Sequence, residues 1–401
     1  LLWCQCRLSA GSNKHENPLS QKISAKSLPC VKGGVTEGDG GIVNFPEDKL
    51  NEVHTMKFDV DAKFIIDCFK DIVNTPSPVG YYVKMNPLLE EYAAKFGQKV
   101  TYDNKSTAYI TLEGEDNSKT VLVGAHPDTL GMVVRTIDND GMIRVRQLGG
   151  VNYSSYEGET VTIHTRSGKE YTGLMTCQSH SVHVFDDART LPRDENTMMI
   201  ILDEKVSSKE DVKALGIRHG DFISVEPRCQ VTENGYIKSR FIDDKGAIAC
   251  VFAMLKYLAE NNLKPKYRTI LAFPYSEEIG MGGTYVPPEV SEYVAIDIGL
   301  IGPGYDGNEY AVSICGKDAA APYDFELTNR LIGYAEKAGC DYEVDVYYHY
   351  GTDANAAVRA GNNLRAGTFG MAVYCSHGME RTHITGLLNT TNLLLGYVLD
   401  I

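Results

Sequence analysis

The sequence lacks any long apolar run, and it has no excess of basic residues. A helix that crosses a bilayer needs about 20 consecutive, mostly apolar residues, and no stretch of these 401 residues approaches that length. We therefore expect no membrane-spanning segment. Lys and Arg number 39 against 53 Asp and Glu, a formal net charge of −14. Proteins that bind the phosphate backbone need a basic binding face, so nucleic acid is not expected as a partner.

The sequence shows no pattern typical of a disulfide framework or of a signal peptide. Its ten cysteines show no dense, regular spacing, so we expect reduced thiols and a cytoplasmic protein. The first 55 residues are rich in Ser, Gly, Lys and Asn, without hydrophobic periodicity. They contain no basic segment followed by a long apolar core, which a signal peptide requires. We expect residues 1–55 to be a disordered tail.

Alternating helix and strand patterns occupy two separated parts of the chain. Apolar residues recur at helical spacing over 61–74 and 246–261, and the apolar run 120–125 is typical of a buried parallel strand. Between these parts, short strand-like segments follow one another with glycine-bearing turns. The pattern predicts an α/β domain, residues 56–131 and 238–401, that is interrupted by a β-rich domain, residues 132–237.

Polar side chains follow the predicted strands of the α/β domain where those strands end. In open α/β sheets, ligands bind beyond the carboxyl ends of the strands. Five separate elements bring His, Asp or Glu to this edge of the sheet. The candidates are His126, Asp128, Asp243, Asp244, Glu277, Glu278, Asp297, His377 and His383.

Two imidazoles and several carboxylates form a ligand set typical of a pair of divalent ions, most simply Zn²⁺ or Co²⁺. Two such ions share a bridging carboxylate, activate a water molecule and polarise a carbonyl group. Asp128, two residues beyond His126, could accept the second imidazole N–H. One of Glu277 and Glu278 could bind metal while the other acts as general base.

Each candidate has a simpler explanation when it is taken alone. Asp243 and Asp244 are typical of a helix N-terminus, and two adjacent glutamates usually lie in a solvated loop. The metal hypothesis depends on their joint placement at one sheet edge. The histidines of the β-rich region are not expected to bind metal: His164, His180, His183 and His219.

These residues belong to motifs that resemble the TET-type glutamyl-aminopeptidase (cellulase-M-like) family of dinuclear metallo-aminopeptidases. The motifs occur in the family's order and spacing from about Val73 to the C-terminus. They are Gly124-Ala-His126-Pro-Asp128, Leu148-Gly-Gly150, Gly216-Ile-Arg-His-Gly-Asp221, Phe241-Ile-Asp243-Asp244-Lys245, Ser276-Glu277-Glu278-Ile-Gly280, Ala295-Ile-Asp297 and Gly351-Thr-Asp-Ala354.

The resemblance implies a role for each matching residue. His126 and Asp297 would bind one metal ion, Asp243 would bridge both ions, and Glu278 would bind the second. Glu277 would be the general base, and Asp128 would stand behind His126.

The last metal ligand is a C-terminal histidine, for which the chain offers two candidates. The family usually has Arg-Tyr-x-His, and here Ser376-His377-Gly-Met-Glu-Arg381-Thr-His383 stands in that region. We favour His383 over His377 because an arginine precedes it. Two further departures, Thr129 after Asp128 and Lys245 in place of Arg, leave the ligands intact but affect residues near the substrate pocket.

The resemblance also implies the fold and the assembly. The fold would be a phosphorylase/hydrolase-like α/β sheet with flanking helices, interrupted by an inserted, PDZ-like β-barrel dimerisation domain. Relatives form homo-oligomers, from dimers to dodecamers that enclose their active sites.

The function predicted is removal of N-terminal residues from peptides by a water that two metal ions activate. Three alternatives stay open: a related two-metal carboxypeptidase or deacylase, a glycosidase, and a non-catalytic scaffold. A glycosidase needs two opposed carboxyl groups, whereas adjacent residues such as Glu277 and Glu278 face opposite ways in an extended chain. A scaffold would lack a ligand, and none is missing.

Overall fold

The computed structural model describes residues 56–401, so the predicted disordered tail, residues 1–55, lies outside the described residues. No helix in the described part is long and apolar enough to cross a membrane.

The helices are α1 (Ala62–Val73), α2 (Met85–Lys95), α3 (Lys209–Ala214), α4 (Ile242–Glu260), α5 (Phe325–Ala338), α6 (Asp353–Arg359) and α7 (Ile384–Leu399). The strands are β1 (Thr101–Tyr102), β2 (Ala108–Leu112), β3 (Asp116–Gly124), β4 (Gly131–Ile137), β5 (Ile143–Leu148), β6 (Thr160–His164), β7 (Glu170–Cys177), β8 (Met198–Leu202), β9 (Phe222–Val225), β10 (Gln230–Val231), β11 (Tyr236–Ser239), β12 (Tyr267–Phe273), β13 (Val290–Ile296), β14 (Gly299–Leu300), β15 (Val312–Lys317), β16 (Tyr342–Val346), β17 (Arg365–Val373) and β18 (Glu380–His383).

The main sheet has the strand order β1-β2-β12-β3-β13-β17-β15-β16, and β14 pairs with β17. Its four central strands, β12, β3, β13 and β17, are parallel to one another. The last five residues of each of these strands are buried because helices cover the sheet. The carboxyl ends of these four strands therefore meet at one edge of the sheet.

Helices α1, α4 and α7 pack together on the sheet. Helix α1 begins at its N-cap Asp61, whose carboxylate accepts a hydrogen bond from the Phe64 backbone N–H at 3.0 Å. Such a cap satisfies one of the free N–H groups of a first helical turn. The apolar face of α1 contains Ile65, Phe69 and Ile72, which are fully buried. Helix α4 is buried along most of its length, as expected for a helix that lies between two others and a sheet.

The inserted region forms a closed barrel with the strand order β4-β5-β8-β7-β6-β9. All neighbouring pairs in this barrel are antiparallel. The predicted fold class, an α/β sheet interrupted by an inserted β-barrel, is confirmed.

The last strands before α4 pair outside the barrel. Strands β10 and β11 do not join the barrel; they form a small antiparallel sheet with β18, which comes from the C-terminal part of the chain. The sequence pattern of β10 and β11 is the same as that of the barrel strands. Only their pairing with the distant strand β18 distinguishes them from the barrel.

Candidate metal centre

Three buried side chains meet at the carboxyl edge of the central strands. His126 follows β3, Asp297 follows β13, and Asp243 lies in the first turn of α4. One donor atom from each lies within 4.8 Å of the others, and the three side chains are almost fully buried. The His126 Nε2 and Asp243 Oδ1 atoms are 3.2 Å apart. A Cβ at Gly370 of β17 would lie 1.9 Å from the carbonyl oxygen of Asp297, so only glycine allows this approach of the two strands.

A second group of donors shares Asp243 with the first. It contains Asp243, Glu278 and His377, again within 4.8 Å of one another. The Nε2 atom of His377 lies 3.6 Å from Asp243 Oδ2 and 3.5 Å from Glu278 Oε2. The two oxygens of Asp243 therefore face different groups, as a bridging carboxylate requires.

The hydrogen bonds of His126 leave one ring nitrogen free. Its Nδ1 lies 3.0 Å from the backbone carbonyl oxygen of Asp128, which can only accept a hydrogen bond and so favours a proton on Nδ1. Its Nε2 is buried without a hydrogen-bond partner within residues 56–401. A buried polar atom without a partner is costly, and a cation beside the carboxylates would satisfy this one. The residues present fit a metal ion.

The electrostatics of the cluster also fit a cation. Burial raises the pKa of Glu278 well above its ordinary value, and the charge of Asp243 raises it further. Burial and the charge of Asp243 likewise raise the pKa of Asp297. Burial lowers the pKa of His126, but the nearby carboxylates of Asp128, Asp243 and Glu277 bring it well above its ordinary value. These pKa shifts arise because carboxylates are buried close together, and a bound cation would relieve their mutual repulsion.

Glu277 lies beside these donor groups, and together with Asp243, Glu278 and Asp297 it lines a cavity. Its Oε2 is 3.7 Å from His126 Nε2. The fully buried Asp128 holds this segment in place, because its two carboxylate oxygens accept the backbone N–H groups of Glu277 and Glu278, each at 3.3 Å. Asp128 was expected to hold the His126 ring through its carboxylate. The shorter contact to the ring is instead made by its backbone carbonyl, and Oδ1 is 3.5 Å away.

The structure does not bring His383 to the cluster, and His377 takes the place that was predicted for His383. Both ring nitrogens of His383 are engaged elsewhere: Nε2 lies 2.7 Å from the Asn234 carbonyl oxygen and Nδ1 lies 2.9 Å from Thr385 Oγ1. His383 ends β18 and caps α7, so its position is set by strand pairing. His377 lies in the turn before β18, which projects toward Asp243.

Glu380 is a buried site residue that the sequence pattern did not identify. Its Oε2 accepts the backbone N–H of Asp243 at 3.0 Å, and its Oε1 accepts the backbone N–H of His377 at 3.1 Å. One carboxylate therefore ties together the segments that carry the shared aspartate and the last histidine. The only feature of the sequence that could have pointed to Glu380 is its position three residues after His377.

The backbone before the site residues adopts left-handed conformations that are uncommon for residues other than glycine. Phe241, Ser276 and His377 have φ values of 66°, 102° and 63°. Such conformations persist only where the surrounding structure holds them, and they cluster at functional sites. In this chain they turn Asp243, Glu277 and the His377 ring toward one cavity.

That cavity has a volume of about 530 Å³. Carboxylates from both donor groups and Glu277 line it, together with residues of the 349–359 segment. Arg359 belongs to this segment and is exposed. Its side chain forms no hydrogen bond or ion pair within residues 56–401, so it is a free cation that faces an acidic cavity.

Comparisons with known proteins agree with this fold. A model of the M42 glutamyl aminopeptidase family matches residues 106–393. YhfE of Bacillus subtilis, which is named as an aminopeptidase, is 39% identical over 334 residues, which cover 83% of this chain and 96% of that protein.

Two solved structures share the fold. The aminopeptidase APDkam598 of Desulfurococcus kamchatkensis superposes with a TM-score of 0.77 at 23% identity, over 85% of this chain and 96% of that one. The TET1 peptidase of Pyrococcus horikoshii gives a TM-score of 0.74 at 22% identity, over 84% and 100%. The resemblance seen in the sequence motifs is confirmed: the chain belongs to the M42 glutamyl aminopeptidase family of peptide-bond hydrolases.

Proposed function

We propose that this protein is a metal-dependent aminopeptidase that uses two divalent ions per subunit. The observation that supports this proposal most directly is the pair of donor groups that share Asp243. His126 and Asp297 would hold one ion, Glu278 and His377 would hold the other, and Asp243 would contact both. Mixed imidazole and carboxylate ligands suit Zn²⁺ or Co²⁺.

When bound, the ions would polarise the first peptide carbonyl and lower the pKa of a water molecule. Glu277 takes a proton from the attacking water and passes it to the leaving amine, as a general base that becomes a general acid. Its backbone is fixed by Asp128, so its carboxylate stays beside His126 and the cavity. The Glu277 side chain is 13% exposed, so few of its contacts are with bulk water.

The acidic cavity favours a substrate with a free N-terminus. A peptide's ammonium group carries positive charge at neutral pH, and Glu277 and Asp318, lining carboxylates that the proposed ions would not neutralise, would attract it. N-blocked peptides, the substrates of the alternative deacylase, would lose this attraction. The free Arg359 in the cavity lining would favour substrates whose carboxylate reaches it.

The test of the proposed base is Glu277→Gln in the metal-loaded protein. We expect kcat on aminoacyl p-nitroanilides to fall by about 10²–10⁴-fold, the usual contribution of a general base, while metal content stays unchanged. Glu210→Gln on the exposed helix α3 is the matched control and should keep full activity. A Glu277→Gln protein with wild-type rates would refute the assignment, and cleavage of N-blocked peptides alone would favour a deacylase.

We further propose that the protein forms homo-oligomers through the inserted barrel and acts on peptides in the cytoplasm. The barrel region exposes Leu174, Val182 and Val184, which are 42%, 54% and 69% accessible. The Pyrococcus horikoshii TET1 peptidase can assemble into a tetrahedron or an octahedral shell. The seven cysteines of the described residues are unpaired, as in a reducing compartment.

Light scattering coupled to size exclusion tests this assembly. Val184→Asp should produce smaller species, because it places a charge in the apolar interface. Leu263→Asp, the same kind of apolar-to-charged change at an exposed residue of the α/β domain, is the control. A barrel variant that assembles like the wild type would contradict the proposed interface.

A further inference from the structure

A second polar cavity lies between the barrel and the small β10-β11-β18 sheet. Its volume is about 340 Å³, and it shares no lining residue with the metal cavity. We call it the basic pocket. Its lining residues are Ser155, Glu159, Arg228, Gln230, Lys238, Arg240 and Met379.

The basic pocket contains more positive charge than its single carboxylate can neutralise. Glu159 Oε1 lies 2.8 Å from Arg228 Nη1 and 3.1 Å from Arg240 Nη2, so one acid serves both guanidinium groups. The side chain of Lys238, the third cation, forms no ion pair or hydrogen bond within residues 56–401. Three cations and one acid leave about two uncompensated positive charges, in a protein whose formal net charge is −14.

Arg240 is buried and only partly satisfied. Its side chain is 2% exposed, and Nη2 donates to the Ser155 carbonyl oxygen at 2.5 Å. Its Nε and Nη1 atoms have no hydrogen-bond partner within residues 56–401. The guanidinium lies 5.2 Å from the Tyr156 ring centroid, a cation–π contact that offsets part of the cost. A buried charge that is only half paired destabilises a fold unless a counter-ion completes its environment.

Arg228 is held in an unusual conformation at the mouth of this pocket. Its φ value is 54°, in the left-handed region, and its side chain is 53% exposed. A turn of this kind costs free energy, yet it keeps a second guanidinium beside Glu159 and close to Arg240.

We propose that the basic pocket is a binding site for a small oxyanion of the phosphate class. Guanidinium groups match phosphate oxygens in a fork geometry, and lysine adds a point charge. At neutral pH phosphate carries between one and two negative charges, which matches the excess of the pocket, whereas a single carboxylate would neutralise only half of it. The site is independent of the proposed peptidase chemistry, because none of its lining residues belongs to the metal centre.

The test is calorimetric titration of the metal-loaded protein with inorganic phosphate at constant ionic strength. Lys238→Met and Arg228→Met should each weaken binding about tenfold or more, because each removes a charge-assisted contact. Both side chains are at least partly exposed, and Glu159 keeps Arg240 as partner in each variant, so folding is preserved. Lys205→Met, on an exposed loop, is the matched control and should bind like the wild type.

Phosphate could also bind at the metal centre, and the variants separate the two sites. Phosphate binding that is unchanged in Lys238→Met and Arg228→Met would place the anion elsewhere and overturn the proposal. Absence of saturable binding in the wild type would overturn it as well. Succinate serves as the carboxylate probe under the same conditions: binding of succinate without phosphate would overturn the assignment to the phosphate class. The aminopeptidase rate of each variant, expected to equal the wild-type rate, reports that the fold is intact.

Discussion

Replacing His377 and His383 separately by alanine tests the metal centre most directly. His377 Nε2 faces Asp243 and Glu278 at 3.6 and 3.5 Å, whereas both nitrogens of His383 are engaged with Asn234 and Thr385. Only His377→Ala should therefore remove a metal ligand. Only His383→Ala should remove the hydrogen bonds from the His383 ring to Asn234, in the turn between β10 and β11, and to Thr385, in the first turn of α7.

The expected magnitudes differ in kind. Lewis-acid stabilisation by a metal ion contributes several kcal/mol to the transition state, and each ~1.4 kcal/mol is a factor of ten in rate. Loss of the second ion in His377→Ala should thus lower kcat/KM by about 100-fold or more. His383→Ala gives up a helix cap and a contact to a backbone carbonyl, together about 1–3 kcal/mol of folding stability, and should keep its rate.

Three measurements on the same preparations distinguish the variants. Elemental analysis should find one of the two ions lost in His377→Ala and none lost in His383→Ala. Thermal unfolding should show the larger decrease in Tm for metal-free His383→Ala, relative to the metal-free wild type. If His383→Ala lost an ion and His377→Ala kept both, the placement of the last ligand in this structure would be refuted.

Three further predictions concern residues around the centre. Glu380→Gln replaces a carboxylate that accepts two backbone N–H groups; metal affinity should fall about 10–100-fold, and equal affinity in a metal titration would contradict its positioning role. In metal-free protein, burial raises the pKa of Asp353 from 3.8 to about 7; because the folded state then binds more protons, stability should fall by up to ~4 kcal/mol as pH rises through this window. The free energy of unfolding, measured with urea in EDTA at several pH values, should depend less on pH in Asp353→Asn than in the wild type. An equal pH dependence in the two proteins would contradict the shift in the pKa of Asp353. Arg359→Gln should lower kcat/KM about tenfold for substrates whose carboxylate reaches it, with neutral substrates unaffected; a uniform loss across a substrate panel would exclude a selective role.

Much of the α/β domain could be predicted because its signals are local. The amphipathic pattern of α1 and the apolar run of β3 depend on neighbouring residues alone. Parallel strands place their carboxyl ends at a common edge, so the convergence of His126, Asp243 and Asp297 followed from their positions after β3, before the long helix and after β13. The structure brings these three side chains together as expected.

The remaining features depend on contacts between distant segments. Strand β11 pairs with β18, almost 150 residues later, and this pairing fixes His383 beside Asn234 and directs His377 into the centre. Glu380 matters because its carboxylate reaches the backbone of Asp243, 137 residues away in sequence. Local patterns carry no information about such pairs.

The sequence by itself determined the class of the fold, the candidate ligand types and the family, since periodicity, residue chemistry and motif order are properties of the chain. The tertiary structure decided which histidine faces the shared aspartate, which oxygen of Asp128 holds His126, and where Arg228, Lys238 and Arg240 come together. The physical reason is that a site forms where distant segments pack. Distances of 3 to 4 Å between such segments are set by the whole core, not by any residue's neighbours along the chain.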